Sequence, residues 1–275
     1  MHLLTRRVRF AIGPDAGKPG PNTFAASPAP RGLARHYEIE LSLRGEPDQP
    51  SGYLADIRLP DRAVRDAVLP LLQRACAERP EADPAPLLPE LFDAARASLE
   101  TLASRASLRS LRLCLSPTLS IEIEDQSMHT ALLRQRFDIA AAHRLHVPTL
   151  SDDENRRLFG KCNNPSGHGH NYQFEPLVEI PLTGGAPALT LAQLESLAQA
   201  AIVDRFDHTH LNLDTPDFSD DAGINPSVEN IARVFFEHMR KAVEAHAASL
   251  PSDHRPRLRA MTVWETDRTS ATYPG

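Results

Sequence analysis

Two histidines stand two residues apart, His168 and His170, shortly after Cys162 in the run Arg156 to Phe174. The residues that follow, Tyr172, Phe174, Leu177, Val178 and Ile180, are aromatic and branched, the composition of a β-strand. Side chains on a strand repeat every second residue, so both imidazoles share a face with Tyr172 and Phe174. Neutral imidazoles on a rigid strand suit zinc, and a catalytic zinc takes three protein ligands while keeping one position open. A third ligand is therefore expected, and His143 supplies it. It has the parity of Phe137, Ile139 and Ala141 on a strand expected over 134–143. Facing side chains on adjacent antiparallel strands lie close enough to close a three-histidine site from one hairpin. A single histidine is usually an ordinary packed or surface imidazole, but three on inward faces beside a cysteine point to a metal.

Further groups could move protons. Cys162 precedes His168 across a turn containing Pro165 and Gly167, within reach of a bound cation, which lowers a thiol's pKa into the range of a general base. Asp207 and His208 set an acid beside an imidazole, the pairing that orients and charge-balances a proton carrier. Neighbours on a strand point opposite ways, so the pair needs the loop that residues 207–212 provide. Glu265 shares parity with Met261 and Val263 and points into apolar surroundings, where a carboxylate needs a partner. Glu229 lies in the first turn of a helix opened by Ser227, a position the helix dipole alone would favour. His210 receives no role.

The elements that must position these groups follow from periodicity. In the second half, the strands over 134–143 and 168–181 precede a helix opened by Thr190 with Gln193 in a capping box. A second helix, opened by Ser227, and strands over 258–266 and 269–273 follow. The first half has strands at Val8–Ile12, Tyr37–Leu43 and Tyr53–Leu59. A helix from Asp61, in which Pro70 predicts a kink or early end, leads to a second helix carrying Leu91, Ala95, Leu99 and Leu102. Strands at Leu108–Leu115 and Leu119–Glu124 complete it. A weak repeat thus spans half the chain.

The segment Phe137–Tyr172, with Ala-Ala-His, Leu-Ser-Asp-Asp-Glu-Asn, Phe-Gly-Lys-Cys-Asn-Asn-Pro and Gly-His-Gly-His-Asn-Tyr, resembles the 6-pyruvoyl tetrahydropterin synthase family, which includes bacterial 6-carboxytetrahydropterin synthases. Further matches come in order: Phe206-Asp207-His208 with Leu211-Asn212-Leu213-Asp214, Pro226-Ser227-Val228-Glu229-Asn230, and Val263-Trp264-Glu265-Thr266-Asp267. Several separated motifs in the right order make the resemblance specific, and it covers roughly the second half of the chain.

The resemblance implies an α+β chain of tandem tunnelling-fold (T-fold) units, each β-β-α-α-β-β with an antiparallel sheet and helices on one face. The units would be a degenerate one over 1–127 without metal ligands and a catalytic one over 128–275. It implies Zn2+ on His143, His168 and His170, catalysis by Cys162, Asp207, His208 and Glu265, and Glu229 holding the N–H edge of a pterin. The implied reaction converts 7,8-dihydroneopterin triphosphate, with loss of triphosphate, to 6-pyruvoyl-tetrahydropterin. One alternative is the 6-carboxy-5,6,7,8-tetrahydropterin synthase reaction of the queuosine (7-deazaguanine) pathway; others are a non-catalytic pterin-binding protein and a zinc hydrolase. Cys162 is separated from His168 by Asn-Asn-Pro-Ser-Gly, which resembles the pyruvoyl-forming branch.

One departure is that the family's Gly-hydrophobic-x-Asp strand is replaced by the stretch Gly184 to Leu189. The first half also departs. Aligning Phe10 with Phe137 sets Ala16 at the place of His143, and aligning Tyr37 with Tyr172 sets Leu33 and Arg35 at those of His168 and His170. Leu115 falls opposite Glu265. Open sheet edges invite pairing with further copies, and the resemblance implies a homo-oligomer, a trimer of tandem chains in which catalytic halves meet.

Composition bounds the partners. The 275 residues are 41% hydrophobic with a net charge of -6, which argues against nucleic acid as a partner. Cys76, Cys114 and Cys162 are too few and too scattered for a disulfide framework, so a reducing compartment is expected. No apolar run reaches about 18 residues, and the N-terminus has no long apolar core. These features predict a soluble, cytoplasmic protein with no membrane partner.

Overall fold

The computed structural model describes residues 1–13, 26, 28, 34–100, 106–182, 187–219 and 224–275. The chain divides into two compact units, Met1–Leu133 with Pro181–Pro187, and Arg134–Ile180 with Ala188–Gly275.

In the first unit, β1 (His2–Ile12) and β2 (Arg35–Gly45) alternate apolar and polar residues, and Val8, Phe10, Ile39, Leu41 and Leu43 are almost wholly buried. They pair antiparallel along their full length, His2 with Gly45 and Ile12 with Arg35. The strand expected over Tyr53–Leu59 does not form. Tyr53 and Ile57 are 68% and 53% exposed, so the segment buries no face. Asp56 instead accepts hydrogen bonds from the backbone and side chain of Arg58, a turn that precedes a helix.

That helix comprises α1 (Arg58–Arg62), a π-helical stretch (Ala63–Val68) and α2 (Leu69–Glu78). Pro70 does not end it. The proline falls in the first turn of α2, and the π-helical register before it accommodates the missing N–H. In α3 (Leu88–Glu100), Leu88, Leu91, Phe92, Ala95 and Leu99 form the buried stripe. Each such leucine or phenylalanine stabilises the unit by about 1.5–3 kcal/mol. β3 (Ala106–Cys114) and β4 (Leu119–Glu124) complete an antiparallel sheet in the order β1-β2-β3-β4. β5 (Thr130–Gln135) spans the boundary between the units. The strand expected over 134–143 is thus two strands, with Arg136 between them.

The second unit begins with β6 (Phe137–His143), followed by α4 (Asp152–Phe159) and β7 (His168–Pro181). Next come α5 (Leu191–Ala198), a π-helical stretch (Gln199–Val203) and α6 (Asp204–Phe206). The short β8 (Thr209–His210) and α7 (Leu211–Asp214) lead to the long α8 (Val228–Ala247). β9 (Arg257–Thr266) and β10 (Thr269–Pro274) close the chain. Its sheet runs β8-β6-β7-β9-β10, with β8 parallel to β6 and the rest antiparallel. Ser151 with Glu154 and Thr190 with Gln193 form capping boxes, and Ser227 caps α8. α8 packs on β9 and β10, and Phe235 meets Phe206 and Phe174 at ring-centroid distances of 4.8 and 5.6 Å. Both units are mixed α+β. Among the described residues, no helix is long and apolar enough to cross a membrane.

Candidate metal centre

The β6–β7 register sets His143 opposite His168 and Ala141 opposite His170. One ligand atom from each of the three histidines lies within 4.8 Å of the others. His143, 0% exposed, has Nδ1 2.7 Å from the carbonyl oxygen of Pro226. A proton on Nδ1 donated to that carbonyl leaves Nε2 free as a lone-pair donor, the usual way a second partner fixes a ligand's tautomer. Nε2 of His143 lies 3.1 Å from Nε2 of His168, and Glu265 Oε1 lies 3.5 Å from Nε2 of both His143 and His170. Burial pushes His143 down to about 4, its neighbouring histidines adding to the effect while the Pro226 carbonyl opposes it. Burial also lowers His168. Both are therefore neutral near pH 7, the protonation state that binds a metal. Burial raises the Tyr172 hydroxyl, with smaller contributions from Glu265 and Cys162.

His168 Nδ1 and His170 Nε2 are buried without a hydrogen-bond partner. The orphaned His170 Nε2, the facing Nε2 atoms of His143 and His168, and the carboxylate alongside fit a divalent cation.

Cys162 sits in a 3₁₀ turn, Gly160–Asn163, and lines a cleft of about 850 Å³ with His168 and His170. Gly167 closes the turn that follows, its N–H donating to the carbonyl of Asn164 at 2.8 Å, in a backbone conformation that favours glycine. Its φ is +70°, and a Cβ there would lie 2.4 Å from Nε2 of His210, the histidine given no role from sequence. Asp207 and His208 are held differently. Asp207 Oδ1 accepts from the N–H of Ala140 at 2.8 Å, and His208 N–H donates to the carbonyl of Ala140 at 2.6 Å. That backbone contact is the main reason the Asp207 carboxyl lies below the usual carboxylate range, with His208, 2.8 Å away, assisting. His208 has φ +56°, and its ring is 82% exposed. Strain at a non-glycine residue of this kind collects at functional sites.

His143, His168, His170, Glu265 and Cys162 thus converge within one unit. His208, with Asp207 beside it, borders a second opening that His170 also lines, and Glu229 is exposed in the first turn of α8. Among the described residues, no hydrogen bond joins Cys162 to His208 or Glu229 to the histidines. The sequence reading missed the Pro226 carbonyl, the Tyr172 hydroxyl and four asparagines, Asn155, Asn163, Asn212 and Asn225. The asparagines lie in or beside the quoted motifs, but nothing in their spacing shows what their amides bind.

A family model described as 6-pyruvoyl tetrahydropterin synthase matches residues 132–275. The chain belongs to that family. The human 6-pyruvoyl tetrahydrobiopterin synthase is 36% identical over 148 residues, covering 53% of this chain and 92% of the human protein. The Poecilia reticulata enzyme of the same name is 38% identical over 139 residues, covering 50% of this chain and 84% of that protein. A solved structure of Caenorhabditis elegans 6-pyruvoyl tetrahydropterin synthase shares 33% identity with a TM-score of 0.45 and covers 53% of this chain and 96% of that one. The family match begins within β5, so the four-stranded sheet of the first unit lies outside it.

Proposed function

We propose that this family member is a zinc-dependent lyase that converts 7,8-dihydroneopterin triphosphate, with loss of triphosphate, to 6-pyruvoyl-tetrahydropterin. The observation that carries the reading is the cluster of three histidines bordered by Glu265 and opening on a cleft shared with Cys162.

His143, His168 and His170 would hold the zinc. When bound, it supplies Lewis-acid polarisation of the substrate's tail oxygens, which acidifies the neighbouring C–H bond. Cys162 is the group placed to take that proton as a thiolate. Asp207 holds the His208 ring as a proton carrier, and Glu265 orients His143 and His170 while relaying charge. Glu229 would pair with the guanidine-like N–H edge of the pterin in bidentate fashion.

The separate placement of Cys162 and the Asp207–His208 pair supports a homo-oligomer, a trimer of tandem chains, in which one chain's cysteine works with another chain's pair. We assign residues 1–127 to a metal-free T-fold unit that completes the assembly, and 128–275 to the catalytic one. The pyruvoyl product is favoured by the Cys162 to His168 spacing and by the relatives' names. Metal analysis with incubation on the triphosphate tests the proposal: zinc, released triphosphate and a rearranged pterin are expected. A bound but unchanged pterin would overturn it, and acetaldehyde among the products would replace the pyruvoyl assignment with the carboxy one.

A further inference from the structure

Directly after His143 the chain leaves β6, and residues 144–147 belong to neither helix nor strand. Four segments hold them. Arg144 N–H donates to Asn212 Oδ1 at 2.8 Å, and its carbonyl accepts from Asn212 Nδ2 at 3.1 Å. Leu145 N–H donates to the Cys162 carbonyl at 2.9 Å, while its own carbonyl accepts from Asn163 Nδ2 at 2.7 Å. His146 N–H donates to Asn225 Oδ1 at 3.1 Å. Val147 is gripped on both sides by Asn155, whose Oδ1 accepts from its N–H at 2.8 Å and whose Nδ2 donates to its carbonyl at 3.0 Å. Every backbone N–H from 144 to 147 is thereby paired outside regular secondary structure, three of the four with an asparagine side chain. Asn155 is 0% exposed and Asn163 7%, so these amides are committed to the backbone and are not available to solvent.

An irregular four-residue segment left to itself would sample many conformations. Fixing it from four sides is worthwhile only where the position of something it carries matters. Its first residue, Arg144, lines the cleft with Cys162, His168 and His170. Arg144 Nε donates to the Asn163 carbonyl at 3.3 Å, and among the described residues the guanidinium has no carboxylate partner. Arg156, on the same cleft, is instead paired with Asp153. A guanidinium with free N–H groups in a fixed fork matches the oxygens of a phosphate.

We propose that Asn155, Asn163, Asn212 and Asn225 are positioning residues that hold 144–147 as a rigid strap, so that Arg144 presents a preorganised contact for a phosphate group at the mouth of the metal cleft. The proposal deepens the function suggested above, whose substrate carries a phosphate tail, but its test does not depend on turnover.

The test is calorimetric titration of the full-length, metal-loaded chain with inorganic phosphate, alongside hydrogen exchange of the 144–147 amides. Arg144→Ala is expected to weaken phosphate binding about tenfold, and Asn212→Ala about fivefold with faster exchange at Arg144. The double variant should bind no more weakly than Arg144→Ala alone, because the asparagine acts only through the arginine. Asn212→Asp retains the acceptor for the Arg144 N–H and should recover part of the loss. Should Asn212→Ala fail to fold, Asn225→Ala, which releases His146, replaces it with the same expected pattern. Wild-type phosphate binding by a folded asparagine variant whose strap exchanges fast, or additive effects in the double variant, would overturn the proposal. A chain that passes these tests but forms no pterin product would refute the proposed reaction and leave the strap intact.

Discussion

The hairpin β1–β2 of the first unit and the hairpin β6–β7 of the second share a frame but differ in chemistry. Each is followed by a helix containing a π-helical stretch, then a further helix, α3 or α8, then a second hairpin. Each also carries a register shift against the next strand in its sheet, at Ser42/Leu43 in one and Leu177/Val178 in the other. Ser42 follows Tyr37 by the same interval as Leu177 follows Tyr172, so Tyr37 answers to Tyr172, Arg35 to His170 and Leu115 to Glu265.

The same frame corrects the alignment of the strands before them. Phe10 pairs with Tyr37, whereas Tyr172 pairs with Ile139, so Phe10 answers to Ile139 and not to Phe137. The place of His143 then falls two residues before Ala16; both positions, like Leu33, lie outside the described residues. Buried stripes align Leu88 and Leu91 with Val228 and Ile231, which sets Pro89 opposite Glu229 and Glu90 opposite Asn230. Where Tyr172 meets His143, Tyr37 meets Cys76, its hydroxyl 3.5 Å from Sγ. The comparison teaches that the two units share a bulge and a hydrophobic stripe, while the inward-facing side chains that could hold a cation in the second unit are among those that differ.

The most severe way to break the comparison is to remove the cation. His168→Ala should take zinc from about one per chain to near zero and abolish turnover with it. Cys162→Ala should keep the zinc and lower turnover by about 10²–10⁴-fold, the range for loss of a general base. Metal analysis and product assay on the two variants check this. Normal turnover by the cysteine variant would remove Cys162 from its role, and two zinc ions per wild-type chain would erase the distinction between the units.

A smaller change gives the second unit the first unit's residue. Glu265→Leu places a leucine where Leu115 stands, and zinc affinity should fall about 10–100-fold, the usual loss when a ligand's hydrogen-bonding support is removed. Competition with a chelating dye measures it; unchanged affinity would show that the carboxylate does not support the histidines. Smaller still is the recovery expected on mixing Cys162→Ala with His208→Ala. Hybrid interfaces should regain a fraction of wild-type activity, because each variant supplies what the other lacks. No recovery after confirmed subunit exchange would count against a site shared between chains.

How much was legible in the sequence follows from the range of the signals. His143, His168 and His170 were readable because a strand's two-residue period is strictly local, and the capping box at Thr190 and the cap at Ser227 are local as well. The absent strand at Tyr53–Leu59 was misread because its residue types favour a sheet, while exposure and the Asp56–Arg58 turn, both tertiary or side-chain matters, decided otherwise. Of the kink or early end expected at Pro70, the early end does not occur, because a proline's cost depends on helix register, which a π-helical stretch alters. The Pro226 carbonyl and the asparagines were unreadable because each acts on backbone distant in sequence: Asn212 on Arg144, Asn225 on His146.

The last expected effect concerns stability and its dependence on pH. In the chelator-treated chain His143 is held down to about 4 by burial, below the ordinary histidine value of 6.5. The unfolded chain therefore binds this proton more readily than the folded one, and stability must fall as pH drops from 6.5 toward 4. It is fully present above 6.5, and the whole contribution is on the order of 3 kcal/mol. His168, also lowered by burial, acts in the same direction, whereas Asp207 matters only at lower pH, within the carboxylate range. Denaturant midpoints of the metal-free chain between pH 7 and 4.5 should slope downward, and His143→Gln should flatten that slope while lowering stability at pH 7. An unchanged slope in the variant would show that His143 is not the buried neutral imidazole on which the metal centre depends.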